Sequence, residues 1–124
     1  MMNEMIFWLY LANSILLINH EIESAYWHEW KLFKLPGDIS GFLAVHFPLL
    51  FLVLYGLILV YQHTPAGLAF SLLLSFSGLF AFTVHMYFLK QGRPEFRLPI
   101  SITILVATLA ISLVQGAMTL YVLM

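Results

Sequence analysis

The sequence contains no cysteine. Disulfides, thiolate nucleophiles, iron–sulfur clusters and cysteine zinc sites are therefore excluded. Charge is scarce as well. Asp, Glu, Lys and Arg make up 9% of the 124 residues, against about 25% in an average soluble domain. Only five residues are Lys or Arg, too few for a phosphate-binding field, so nucleic acid is excluded as a partner. A formal net charge of −1 gives no long-range steering. What the chain does have is apolar surface. Hydrophobic residues are 62% of it, against about 45–50% in ordinary domains. A chain this short cannot bury that much apolar surface as a water-soluble monomer. It reads as an integral membrane protein forming one transmembrane domain, residues 1–124.

No charged residue occurs from Ile39 through Leu89. One membrane helix needs about 20 residues, so this run holds two. Gln62-His63-Thr64-Pro65-Ala66-Gly67 carries the Pro and Gly that can turn the chain between them. Leu98 to Met124 is a further uncharged run, and Met5 to Asn19 is a shorter one flanked by Glu4 and His20. The expected spans are roughly 3–20, 40–62, 66–89 and 98–123. Unbroken apolar runs lack the alternation of a barrel strand, and open strands cannot cross a bilayer, so the spans must be helices. The fold class predicted is all-α: an up-down four-helix bundle in the membrane, with a short interfacial segment at 21–38. That segment mixes Tyr26, Trp27, Trp30 and Phe33 with Glu21, Glu23, His28, Glu29, Lys31 and Lys34, the composition of headgroup depth; it extends the first helix or follows it as a short surface helix, and Pro36-Gly37 ends it. Glu4, where a signal peptide has Lys or Arg, and the lack of a small-x-small cleavage site make the first span an expected retained helix.

All five basic residues fall in two loops. Lys31 and Lys34 lie between the first and second spans, and Lys90, Arg93 and Arg97 between the third and fourth. The positive-inside rule then puts both loops in the cytoplasm and both termini outside. Trp8, Tyr10 and Tyr121 read as the outer aromatic belt. Lys90, Arg93 and Arg97 set topology and can touch lipid phosphate. Gly67, Ser71, Ser75 and Gly78 form a small-residue stripe that admits a neighbouring helix, in this chain or in a second copy, and Gln115 with Gly116 reads as packing. His63 belongs to the outer turn. His28 and Glu29 read as solvated groups or partners of lipid headgroups.

Three histidines fall in one layer. His20 ends the first span. His46 lies eight residues after Asp38, roughly 12 Å into the second span at 1.5 Å per residue. His85 lies five residues before Lys90, roughly 7 Å from the end of the third. Glu23 is three residues after His20 and shares its helix face, as does Asn13. Ser101 and Thr103 can add hydroxyls from the fourth span. Ionisable groups inside a bilayer are costly and mark sites. Imidazole and carboxylate from several helices suit Zn²⁺ or non-haem Fe²⁺, so His20, Glu23, His46 and His85 are the candidate metal ligands. Glu21 or Glu29 is the candidate general base. Each also has a structural alternative: an interfacial ion pair for His20 and Glu23, and a buried imidazole satisfied by one acceptor for His46 or His85.

Asn19-His20-Glu21-Ile22-Glu23-Ser24-Ala25-Tyr26-Trp27, at the end of an apolar first helix, resembles the small bacterial membrane proteins that carry an HXXEE motif. It is similar also to uncharacterised four-helix bacterial proteins of like length. Here the motif is His20-x-x-Glu23-Ser24, with serine in place of the second acid. The resemblance implies a bacterial inner-membrane protein and supplies no activity.

Three functional readings stand. One is a small metal-dependent membrane enzyme acting on a lipid-soluble substrate from the cytoplasmic leaflet. The second is a non-enzymatic membrane subunit, or a homo-oligomer that binds a small ligand in its polar layer. The third is haem held by His46 and His85, since bis-histidine ligation needs two imidazoles at like depth. Membrane lipid is a partner in all three.

Overall fold

The computed structural model describes all residues, Met1–Met124. Its elements are α1 (Met2–Tyr26), α2 (Glu29–Leu32), α3 (Asp38–Tyr61), α4 (Pro65–Lys90) and α5 (Pro99–Leu123), with no strand. The four long helices form a bundle, and each is long and apolar enough to cross a membrane. α3 and α5 each pack against both α1 and α4, and α1 meets α4 across the centre.

Local chemistry explains the joints. Pro65 opens α4 at a position where its missing N–H is no loss. Thr64 caps the same helix: its Oγ1 accepts from the Gly67 N–H at 3.0 Å and donates to the Leu59 carbonyl at 3.0 Å. A Cβ on Gly67 would come within 2.6 Å of that carbonyl, so the glycine lets α3 and α4 close against each other.

α1 does not stop near residue 20. It continues to Tyr26, because no Pro or Gly interrupts the chain before Pro36-Gly37. His28 then adopts φ 55° and turns the backbone into the one-turn helix α2. Lys34 (φ 55°), Gly37 (φ 97°) and Asp38 (φ 53°) redirect it again into α3. Both alternatives for this segment occur: α1 is extended to Tyr26, and the short helix α2 follows it, folded back on the bundle.

The bundle is inverted relative to a soluble protein. Phe47 is 81% exposed and Phe76 67%, whereas Asn13, Ser71, Ser112, Gln115 and Thr119 are buried. Without water outside, helices associate through small side chains and hydrogen bonds. Asn13 Nδ2 donates to Ser112 at 3.1 Å and to Gln115 Oε1 at 3.0 Å. Gln115 Nε2 donates to the Ser71 carbonyl at 3.0 Å, and Ser71 shares a 2.8 Å hydrogen bond with Thr119. This network joins α1, α4 and α5. It claims Asn13 for packing rather than for the histidine layer. Gly67, Ser71, Ser75 and Gly78 are all buried, and a Cβ on Gly78 would collide with Ser112. Trp8 and Tyr121 are exposed as a belt requires, but Tyr10 is not. It shares a helix face with Ile6 and Asn13, and its hydroxyl donates to the Val53 carbonyl at 2.8 Å inside the bundle.

Candidate metal centre

His20 and Ser24 project from the buried face of α1, His85 from that of α4. The turn at His28 swings Glu29 back towards them. Glu29 Oε2 lies 3.1 Å from His85 Nε2, 3.9 Å from His20 Nε2 and 2.5 Å from the Ser24 hydroxyl, which donates to it. The two imidazole rings meet edge to face at 4.4 Å. One ligand atom from each of His20, Glu29 and His85 can be chosen so that all lie within 4.8 Å of one another. Nδ1 of His20 is buried with no hydrogen-bond partner, which is costly in an apolar interior, while the nitrogen set against Glu29 is Nε2. Two imidazoles and one carboxylate are a donor set for Zn²⁺ or non-haem Fe²⁺, with positions left for water or substrate.

Burial alone would raise the Glu29 carboxyl. Hydrogen bonds from His85 and Ser24, with the fields of His85 and His20, outweigh it and hold the group below the ordinary carboxylate value.

His85 is oriented by a second contact. Its Nδ1 lies 2.8 Å from the Ala81 carbonyl. A carbonyl only accepts, so Nδ1 carries the hydrogen and Nε2 faces the carboxylate. A proton must then lie between Nε2 and Glu29, unless a cation takes its place. His46 repeats the pattern on α3. Its Nδ1 donates to the Phe42 carbonyl at 2.7 Å, and its Nε2 is 2.5 Å from Glu21 Oε2. The protein therefore holds two carboxylate–imidazole pairs, each with room for one transferable proton.

The grouping differs from the one read along the chain. His20 and His85 meet, as their depth implied. Glu29, expected at a headgroup or as a base, supplies the carboxylate. Glu23 lies elsewhere. The prolonged α1 points it towards α5, where it accepts from the Trp27 indole at 3.0 Å and from the Ser101 hydroxyl. His46 is paired with Glu21 outside the group of three. Thr103 is exposed and bonds its own helix. His28 is exposed and stacks on Trp30 with ring centroids 5.0 Å apart. Arg97, read as a topology determinant, also satisfies the end of α4: its guanidinium donates to the carbonyls of Leu89 and Arg93 at 2.5 and 2.6 Å.

Phe96 gives no signal in the sequence, yet it closes the site. It sits in the loop before α5, buried, with its ring 4.5 Å from His85 and 5.4 Å from His20. Its φ is 66°, a conformation bulky residues avoid and one that tends to persist at functional sites. Ser24 was legible only as the residue replacing an acid in the motif.

A cavity of about 480 Å³ runs from this cluster between α1, α3 and α4. His20, Glu21, Glu29 and His85 form its polar end, and most of the other lining is apolar.

The chain belongs to a family of unknown function, DUF6713, whose model matches residues 6–122. No match was found among curated proteins or solved structures.

Proposed function

We propose that the protein is a small multi-pass membrane protein that binds a divalent metal, Zn²⁺ or Fe²⁺, through His20, Glu29 and His85, and uses it on a lipid-soluble substrate. The observation that carries this reading is the His20 side chain: a buried imidazole with an unpartnered nitrogen, beside a second imidazole and a carboxylate. A purely structural ion pair has no need of His20. Ser24 and the Ala81 carbonyl hold Glu29 and His85 in place, the outer-shell orientation that metal ligands commonly have. Glu21, on the same polar end of the cavity and paired with His46, is the group placed to take or return a proton. A metal here would act as a Lewis acid or lower the pKa of a bound water.

Bis-histidine haem is the weaker reading, because His46 and His85 each turn Nε2 to a different carboxylate. The non-enzymatic reading keeps the same cavity without the chemistry. We place the cluster on the cytoplasmic side of the membrane, with both termini outside, from the basic loops, and take that membrane as a bacterial inner one from the resemblance of the His20-x-x-Glu23 motif. The decisive test is elemental analysis of detergent-purified chain reconstituted with Zn²⁺ or Fe²⁺. One equivalent, lost in His20→Ala and His85→Ala and kept in Thr103→Ala, is expected. No bound metal would sink the reading, and a Soret band would replace it with haem.

A further inference from the structure

The cavity that ends on the histidine cluster has a shape and a polarity of its own. On α1 its lining runs from Tyr10 to Glu21, roughly 16 Å at 1.5 Å per residue, and on α4 from Phe70 to His85, roughly 22 Å. It is thus a slot parallel to the helices. Its volume of about 480 Å³ lies within the range of small-molecule sites. Its polar groups are not spread along it. Two carboxylates and two imidazoles sit at one end. Further along, the Ser77 hydroxyl is spent on the Leu73 carbonyl and the Tyr10 hydroxyl on the Val53 carbonyl. The rest of the slot has nothing to offer a polar ligand.

The side of the slot is open. Leu52 of α3 and Leu73, Phe76 and Phe80 of α4 line it, yet each is also among the exposed large hydrophobics of the outer surface. A residue can do both only at a mouth. These are residues of membrane-spanning helices, so the mouth between α3 and α4 faces the bilayer core and not water. No Lys or Arg lines the slot. An anionic head would meet Glu21 and Glu29 with no basic side chain to offset them.

We propose that the slot binds a single-chain lipid with a neutral, oxygen-bearing head, a long-chain alcohol or aldehyde, taken in sideways from the bilayer between α3 and α4. The tail lies along α1 towards Tyr10 and the head lies at His20, Glu29 and His85. This deepens the metal reading by naming its substrate class, and rests on it for what happens to the head. Binding of the tail does not require the metal.

The experiment uses the full chain in lipid nanodiscs and a hexadecanol carrying a photoreactive diazirine in its tail and a terminal alkyne. Illumination should label Leu17, Val53 or Leu74, which lie inside the bundle and line the slot. Unlabelled hexadecanol should compete, and hexadecanoate should compete at least tenfold less well in metal-free protein. Along a series of alcohols compared at equal mole fraction in the lipid, competition should strengthen with chain length until the tail reaches Tyr10 and then stop strengthening. Farnesol against hexadecanol then assigns a branched or a straight tail, and failure of both to compete overturns the proposal. Ala81→Phe narrows the slot and should cut labelling at least tenfold. Leu52→Trp alters only the exposed mouth, is safe for folding, and should slow labelling several-fold. Label confined to outward residues such as Phe47, or affinity that rises with chain length without limit, would mean simple partitioning and overturn the proposal. Metal content is measured on the same samples. Labelling without metal removes the metal reading alone, and metal without labelling removes the lipid alone.

Discussion

Two residues that look alike along the chain, His46 and His85, have different work. Both anchor Nδ1 on the carbonyl four residues back and turn Nε2 to a carboxylate. Only His85 shares that carboxylate with His20. His85→Ala should therefore abolish metal binding, while His46→Ala should leave at least half of it and move the pH profile of any activity, because it disturbs Glu21 instead. Equal loss in both variants, by elemental analysis, would merge the two pairs into one site. Glu29 gives a second test at this scale. Its carboxyl titrates below its ordinary 4.5 in the folded protein, as hydrogen bonds from His85 and Ser24 override burial. A depressed carboxylate stabilises the fold above the unfolded value and loses that contribution as pH falls through the folded one. Metal-free wild type should thus lose thermal stability below about pH 4.5, and Glu29→Gln should lose less over that window. Identical acid profiles would show that the carboxylate charge is not what His85 and Ser24 hold.

Elements were legible in proportion to how far periodicity and breakers decide them. The uncharged run from Ile39 to Leu89 dictates two spans, and Thr64-Pro65 marks the turn because it lies at the middle of the run, whereas Pro48 lies too near one end to divide it and α3 continues through it. The end of α1 is legible only as two alternatives, a longer first helix or a short helix after it, because glutamate and serine continue a helix well enough and the first breaker is Pro36-Gly37. What no spacing shows is the reversal at His28. On a continuous α1, Glu23 is the natural partner of His20, three residues on. With the chain reversed at His28, Glu29 is. A turn made by a non-glycine residue in the left-handed region has no spacing rule, and neither does Phe96, whose place depends on the whole loop. The small-residue stripe is the opposite case, since small size is itself the signal. Ser75 is buried against Gly116, with its side chain 3.5 Å from where a Cβ on that glycine would sit, so Ser75→Leu should destabilise the bundle by roughly 1–3 kcal/mol. Gln115→Leu should do the same by about 1–3 kcal/mol, since it takes one buried hydrogen bond from Asn13 and one from the Ser71 carbonyl. Unchanged melting of Gln115→Leu in detergent would show that water enters the bundle and satisfies them.

Taken as a whole, the molecule is asymmetric from end to end. The histidine layer, α2, the closing Phe96 and every Lys and Arg lie at the end that holds the 27–37 and 91–98 loops. The other end has only the Gln62–Thr64 turn and the two chain termini, with no basic residue. Both features follow from one arrangement. Basic loops resist translocation, and the histidine layer shares their end, so the side of one fixes the side of the other. Orientation is therefore predictable and testable as one property. With native cysteine absent, a single cysteine introduced at Thr64 or at Gln91 reports its own side without background. In intact cells a membrane-impermeant maleimide should modify Thr64→Cys and spare Gln91→Cys until the membrane is opened. The reverse pattern would place the cluster and both basic loops outside, against the charge rule. Labelling of both in intact cells would mean that at least one long helix does not cross, and the four-span bundle would have to be redrawn.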